Sequence, residues 1–421
     1  MRISKTSDIM EYALAFLFVL PYAETGIIAD TFRYTTNDTN WRAILSIELI
    51  LFVLCLPLSF VKVRRDKTKI QEIKGIIIPF ILVMFFILLY SFLINGVTFS
   101  SFNLFLMITT PLLNAYFINK FIAYKAIRLD YIIRKSVFLF VLFVIFAIVF
   151  NIIKYGFSIS LTDSSTRLTA SAGGPVIFGY TISVVFAFVI SHKEIFRQIE
   201  ILASLFILFI GILLTQDRGA IVVLALCVLF LFKNYTKKGV LWVALLIIPL
   251  FLFFMMDNIK ESTFFSRFEG FDASSDDRLF TLLSAVSVYF EEIQYIIFGH
   301  GFDGFFPYQD WLLNTSHEEV YNNIDFNIIQ YKGRFMLVQP HNTFVYFLME
   351  SGLVGLFSFC WMFHGFYKKT SANNRYSLLL VLAAVICISL LESTLILEPG
   401  ISCTLWLIVF YSFLYCRIPK K

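Results

Sequence analysis

Charge is what this chain has least of. Asp, Glu, Lys and Arg make up 15% of its 421 residues, against about 25% in an ordinary soluble domain. That leaves too little polar surface to cover a soluble globule of this length, and far too much apolar content for a disordered chain. Cysteine is scarce as well. The six, Cys55, Cys227, Cys360, Cys387, Cys403 and Cys416, all fall in or beside apolar runs, which excludes a disulfide framework. Histidine occurs five times, and the Glu318–Glu319 pair after His317 has no second His at helical spacing, so a zinc motif is missing. The small-residue run at 171–175 lacks a Walker lysine and reads as a flexible entry to a span. What the chain has in abundance is apolar residues: 59% hydrophobic, with 51 Phe and 20 Tyr. This is the composition of a polytopic membrane protein.

A spanning helix needs about 20 mostly apolar residues. Segments of that kind lie at roughly 9–28, 43–61, 75–95, 99–119, 136–156, 174–191, 199–216, 219–232, 239–256, 341–366, 376–396 and 400–415. The expected fold is therefore all-α, with about twelve transmembrane helices. The runs do not alternate as barrel strands would. Arg2 and Lys5 precede the first run, but Glu11 lies inside it and no small-x-small site follows, so it reads as a retained helix.

Basic residues orient the chain. With the N-terminus in the cytoplasm, 24 of the 34 Lys and Arg fall on the inner side, and both termini are cytoplasmic. Three regions follow: helices one to nine over 1–256, an outer insert over 257–340, and helices ten to twelve over 341–421. The insert carries thirteen acidic and five basic residues, a formal charge of −8. Within it, 277–298 has the pattern of an amphipathic helix lying on the membrane. The GHGFDGF run at 299–305 is a glycine-punctuated turn, and 306–340 reads as an aromatic and polar loop, suited to carbohydrate or simply irregular.

Candidate chemistry clusters on the outer side. His341 follows Pro340 and opens the tenth span, with Asn342 or Thr343 placed to cap it. Held at a water boundary, its imidazole suits proton transfer near neutral pH; plain packing or capping is the alternative. Arg218, in LTQDRGAIVV, sits between two spans with almost no loop around it. Its guanidinium suits an anion site, since its fork matches phosphate oxygens, or a local ion pair with adjacent Asp217. Arg267 and Arg278 follow in the insert, the latter after Asp276 and Asp277. Three outward arginines and one histidine suit a diphosphate leaving group beside a general base. Glu48, Glu350 and Glu392 lie within apolar runs, and for Glu350 a structural role with Gly352 and Gly355 is expected.

TQDRGA at 215–220, the insert arginines followed by FGHGFDGF, and PHNTFVYFLMESGLVGL at 340–356 together resemble the O-antigen ligase and polymerase family of membrane glycosyltransferases. The resemblance implies an all-helical fold, a polyprenyl-diphosphate-linked oligosaccharide donor, no metal and no cofactor. It implies that His341 activates the acceptor hydroxyl and that Arg218 and Arg278 hold the donor diphosphate, with Arg267 a third contact. Asn342, Glu350 and Asp217 are candidate supporting residues, and Asp217 departs from the family's pattern. It also implies an active site on the periplasmic face of the bacterial inner membrane. A single displacement would invert the anomeric centre.

A ligase passes its glycan to a phosphorylated lipid A core, whereas a polymerase passes it to another lipid-linked repeat unit. An insert of charge −8 repels the first acceptor and favours the polymerase. Such polymerases work with a chain-length regulator. No nucleic-acid partner is expected. A flippase or transporter is the alternative class, but it needs a midplane polar path, whereas the distinctive polar residues here gather at one face.

Overall fold

The computed structural model describes residues 4–19, 56–57, 67–125, 127–155, 167–168, 175–234, 295–302, 328–331, 334–337, 342–370, 375–392, 394–397 and 399–415. Its helices are α1 (Ser4–Phe16), α2 (Lys67–Asn95), α3 (Phe99–Tyr124), α4 (Leu129–Tyr155), α5 (Pro175–Ser191), α6 (Gln198–Thr215), α7 (Arg218–Asn234), α8 (Thr343–Lys369), α9 (Arg375–Leu391), α10 (Thr394–Leu397) and α11 (Pro399–Tyr415). Nine of the twelve expected spans fall on helices. Of the first, 9–28, the helix covers 9–16 and 20–28 lie outside the described residues, as do 239–256 and 43–61 apart from 56–57. Among the described residues, five helices are long and apolar enough to cross a membrane: Thr68–Asn95, Ser101–Tyr124, Leu129–Ile153, Gln198–Thr215 and Thr343–Lys369.

Two expectations need correction. The loop at 306–340 contains an antiparallel hairpin, β1 (Ile328–Tyr331) with β2 (Arg334–Leu337), in the register Ile328 to Leu337 and Tyr331 to Arg334. The surface helix expected over 277–298 does not reach its proposed end, because 295–298 form a turn. That turn is claimed by backbone partners on α8; the rest of 277–298 lies outside the described residues.

α5 is the central helix, buried continuously from Phe178 to Ser191 and packed by α6, α7, α9 and α11. Lipid is as apolar as the helices, so close packing rather than the hydrophobic effect joins them. Gly211 of α6 shows this: a Cβ there would lie 3.0 Å from Val144 Cγ1 and 3.1 Å from Ile182 Cδ1. Ion pairs tie the helices at one end. Lys135 Nζ of α4 meets Glu11 Oε2 of α1 at 2.6 Å, and Arg134 of α4 pairs with Glu200 of α6. His192 lies at this end, fully buried, with Nε2 2.8 Å from Ser412 Oγ. The opposite end carries Asn95, the turn between α6 and α7, and the start of α8.

α8 is broken. Gly352 takes φ 63° and ψ −165° within it, a conformation open to glycine. A break strands donors and acceptors that water cannot reach inside a membrane protein. Residues 295–302 satisfy them. Leu353 and Val354 donate to the carbonyls of Ile296 and Ile297 at 3.0 and 3.1 Å, and His300 N–H donates to Met349 O at 2.9 Å. The contact is backbone against backbone. A Cβ on Gly352 would lie 2.4 Å from Ile297 O, and one on Gly299 2.5 Å from the carbonyl carbon of Glu350.

Candidate active site

The turn between α6 and α7 is fixed from several directions. Gln216 caps α6 in the left-handed region, at φ 51°, a position non-glycine residues seldom take. Asp217 follows, and its Oδ2 accepts from Ala220 N–H at 2.7 Å, which caps the N-terminus of α7. Arg218 is therefore the first residue of a helix whose start is set by Asp217. From α5, Gly179 admits the turn so closely that a Cβ would meet Thr215 Oγ1 at 2.7 Å. The Tyr180 ring lies against the first turn of α7, where a Cβ on Gly219 would be 2.3 Å from Cε1.

α8 opens in the same manner. Asn342 Oδ1 accepts from Phe344 and Val345 N–H at 2.9 and 3.0 Å. Its amide donates to Leu390 O at 2.9 Å, and Thr343 Oγ1 donates to Glu392 O at the same distance. The residue after His341 is thus both a helix cap and a tie to the end of α9. α9 also packs against α7, so one helix touches both α7 and α8.

Glu350 is buried, 1% exposed, immediately before the break in α8. The two glycines after it make room for close approaches. Gly352 admits the carbonyl of Ile297, and Gly355 makes room for Ser351, whose Oγ would lie 1.8 Å from an added Cβ. His300, 6% exposed, stacks on Tyr295 with ring centroids 4.1 Å apart. Its Nδ1 lies 3.1 Å from Met349 O. A carbonyl only accepts, so Nδ1 carries the proton. Asn95 Nδ2 donates to His300 O at 2.8 Å, and Ser91 and Ser101 donate to Phe302 O at 2.9 and 2.7 Å.

Of the residues expected to act, Asp217, Asn342 and Glu350 are described in full, and Arg218 as the first residue of α7. His341, Arg267 and Arg278 lie outside the described residues. Two residues had been passed over. His300 was read only as part of a turn, yet it anchors the break in α8. Arg167, 48 residues before Thr215, donates from Nε to Thr215 O at 2.9 Å and from Nη2 to Gln216 O at 3.4 Å. The available signal was an arginine four residues before the small-residue run at 171–175.

A bundle with membrane-length helices, one of them broken, and with capped helix starts and polar ties at one end defines a multi-pass membrane protein. Residues 203–360 match the family described as O-antigen ligase. The match runs from α6 through the insert into α8 and supports the O-antigen ligase and polymerase family for this chain. No curated protein matches the chain.

Proposed function

We propose that the protein is a polysaccharide polymerase. It transfers a polyprenyl-diphosphate-linked glycan to the hydroxyl of an incoming lipid-linked repeat unit, on the outer face of a twelve-span inner-membrane protein. The observation that carries this reading is the shared end of the bundle. Arg218 is the first residue of α7, and His341 directly precedes the Asn342 cap of α8, with α9 packed against both helices. The family match covering both helix starts supports transfer chemistry of this type.

In the reaction, His341 takes the proton of the acceptor hydroxyl as that oxygen attacks the anomeric carbon. The bond from that carbon to the diphosphate oxygen breaks, its electron pair leaves with the polyprenyl diphosphate, and the centre inverts. A positioned base contributes about 10²–10⁴-fold. Arg218 and Arg278, with Arg267, offset the charge growing on the leaving diphosphate, and the N-terminus of α7 adds a partial positive charge beside Arg218.

The family's name favours a second reading, an O-antigen ligase that delivers the glycan to lipid A core. The charge of −8 on the insert favours the polymerase. Glycan length on a gel separates them, in cells lacking the chromosomal copy and expressing wild type or His341→Ala at matched membrane levels. A ladder from wild type and single-unit product from the variant support the polymerase. Lipid-linked long chains that persist without the protein but never reach lipid A establish the ligase. A wild-type ladder from His341→Ala removes the catalytic assignment.

A further inference from the structure

We infer that Arg167 is a positioning residue for the donor diphosphate, acting through the turn that sets where Arg218 enters α7. The inference rests on the proposed diphosphate role of Arg218.

The turn has features that need outside support. The last carbonyls of a helix have no partner within it, and here the C-cap is a glutamine at positive φ, which glycine would adopt without strain. Arg167 answers both. Its guanidinium donates to Thr215 O and Gln216 O, and a cation there also meets the negative end of the α6 dipole. Its neighbour is fastened to the same strand of chain, with Leu168 N–H donating to Leu214 O at 2.8 Å. The segment at 167–168 thus runs along 214–216 as a brace. Two residues further on, Arg218 begins α7. α5 also lies against this turn, where Gly179 and Tyr180 leave no slack. Releasing the guanidinium removes both of its bonds to the turn's carbonyls.

The geometry requires a fork. Nε and Nη2 reach successive carbonyls, which one ammonium cannot reproduce with the same planarity. Lysine is therefore a partial substitute and alanine is none.

The test uses the full-length protein in detergent. Hydrogen exchange is followed over peptides spanning 214–220, and binding of polyprenyl diphosphate is titrated for wild type, Arg167→Ala, Arg167→Lys, Arg218→Ala and the double Ala variant. Arg167→Ala is expected to speed exchange at 214–220 while peptides from α2 and α8 stay protected. It is also expected to weaken the probe by about tenfold or more, as loss of a charge-assisted contact would. Arg167→Lys falls between. The double variant is expected to bind no more weakly than Arg218→Ala, because the two losses share one route. Wild-type exchange at 214–220 in Arg167→Ala overturns the brace. Wild-type binding in that variant, or losses that multiply in the double variant, overturns action through Arg218. If Arg218→Ala alone binds the probe as wild type does, the diphosphate reading itself fails and the inference falls with it, an outcome recognisable without the Arg167 variants.

Discussion

His300 and Met349 are 49 residues apart in the chain, yet two nitrogens of His300 converge on one carbonyl. The main-chain N–H reaches Met349 O at 2.9 Å, and Nδ1 lies 3.1 Å from it. That carbonyl ends the first half of α8, the half that begins beside His341. The turn at 295–302 is thereby fastened to the helix that follows the proposed base.

The closeness of that contact predicts the outcome of adding one methyl group. Gly299→Ala and Gly352→Ala each combine positive φ with a backbone atom 2.5 Å or nearer to the new Cβ. Gly96 also has positive φ, at 82°, but among the described residues nothing lies within 4 Å of its Cβ position. Gly96→Ala is expected to cost only the strain, about 1–2 kcal/mol, while the other two cost more. Thermal unfolding midpoints in detergent would rank Gly96→Ala well above both, and equal midpoints would contradict the backbone contact.

Asn342 performs two tasks that substitutions can separate. Asn342→Asp keeps an oxygen for Phe344 and Val345 but gives up the donation to Leu390. Asn342→Ala loses both, with a capping loss of about 1 kcal/mol. Stability should fall in the order wild type, Asp, Ala. Activity is expected to drop steeply already in Asp, because the tie to α9 positions the start of the helix next to His341. An Asp variant with wild-type turnover would dissociate that tie from function.

The Lys135–Glu11 pair is mostly buried, with side-chain exposures of 16% and 12%. Removing one partner leaves a charge without its partner in poorly solvated surroundings, so Lys135→Ala is expected to destabilise by about 3–5 kcal/mol. Lys135→Ala with Glu11→Ala should recover much of that loss. A double variant no more stable than Lys135→Ala would show that the pair contributes little.

His192 makes stability depend on pH in one direction. Full burial lowers its pKa from the ordinary 6.5 to about 3. The unfolded chain then binds a proton below about pH 6.5 that the folded chain refuses until about pH 3. The stabilisation from a neutral His192 is therefore complete above pH 6.5 and is lost as pH falls through that window, with a limiting slope of about 1.4 kcal/mol per pH unit. Unfolding midpoints at pH 8, 6 and 5 should decline less in His192→Gln than in wild type. Parallel declines would remove His192 as the source.

Much of this architecture was legible because it is local. An apolar run of about 20 residues commits its backbone to a helix wherever its neighbours lie, so the described helices fall where composition places them. Asn342 was legible as a cap because capping joins residues two or three apart. Asp217 was read through its adjacency to Arg218, as an alternative ion-pair partner; that its carboxylate accepts from Ala220 N–H and caps α7 depends on side-chain direction, which adjacency does not give.

The sequence by itself determined a membrane protein, its helical segments, and the segments that carry its arginines and histidine. It did so because burial in lipid is a property of composition and helix hydrogen bonds close within a few residues. Only the tertiary structure decided that α8 breaks at Gly352 and is completed by Ile296, Ile297 and His300, and that Arg167 braces the turn before Arg218. Those bonds join backbone groups to partners about 50 or more residues away. Every residue offers the same backbone groups, so no side-chain pattern announces which of them will meet.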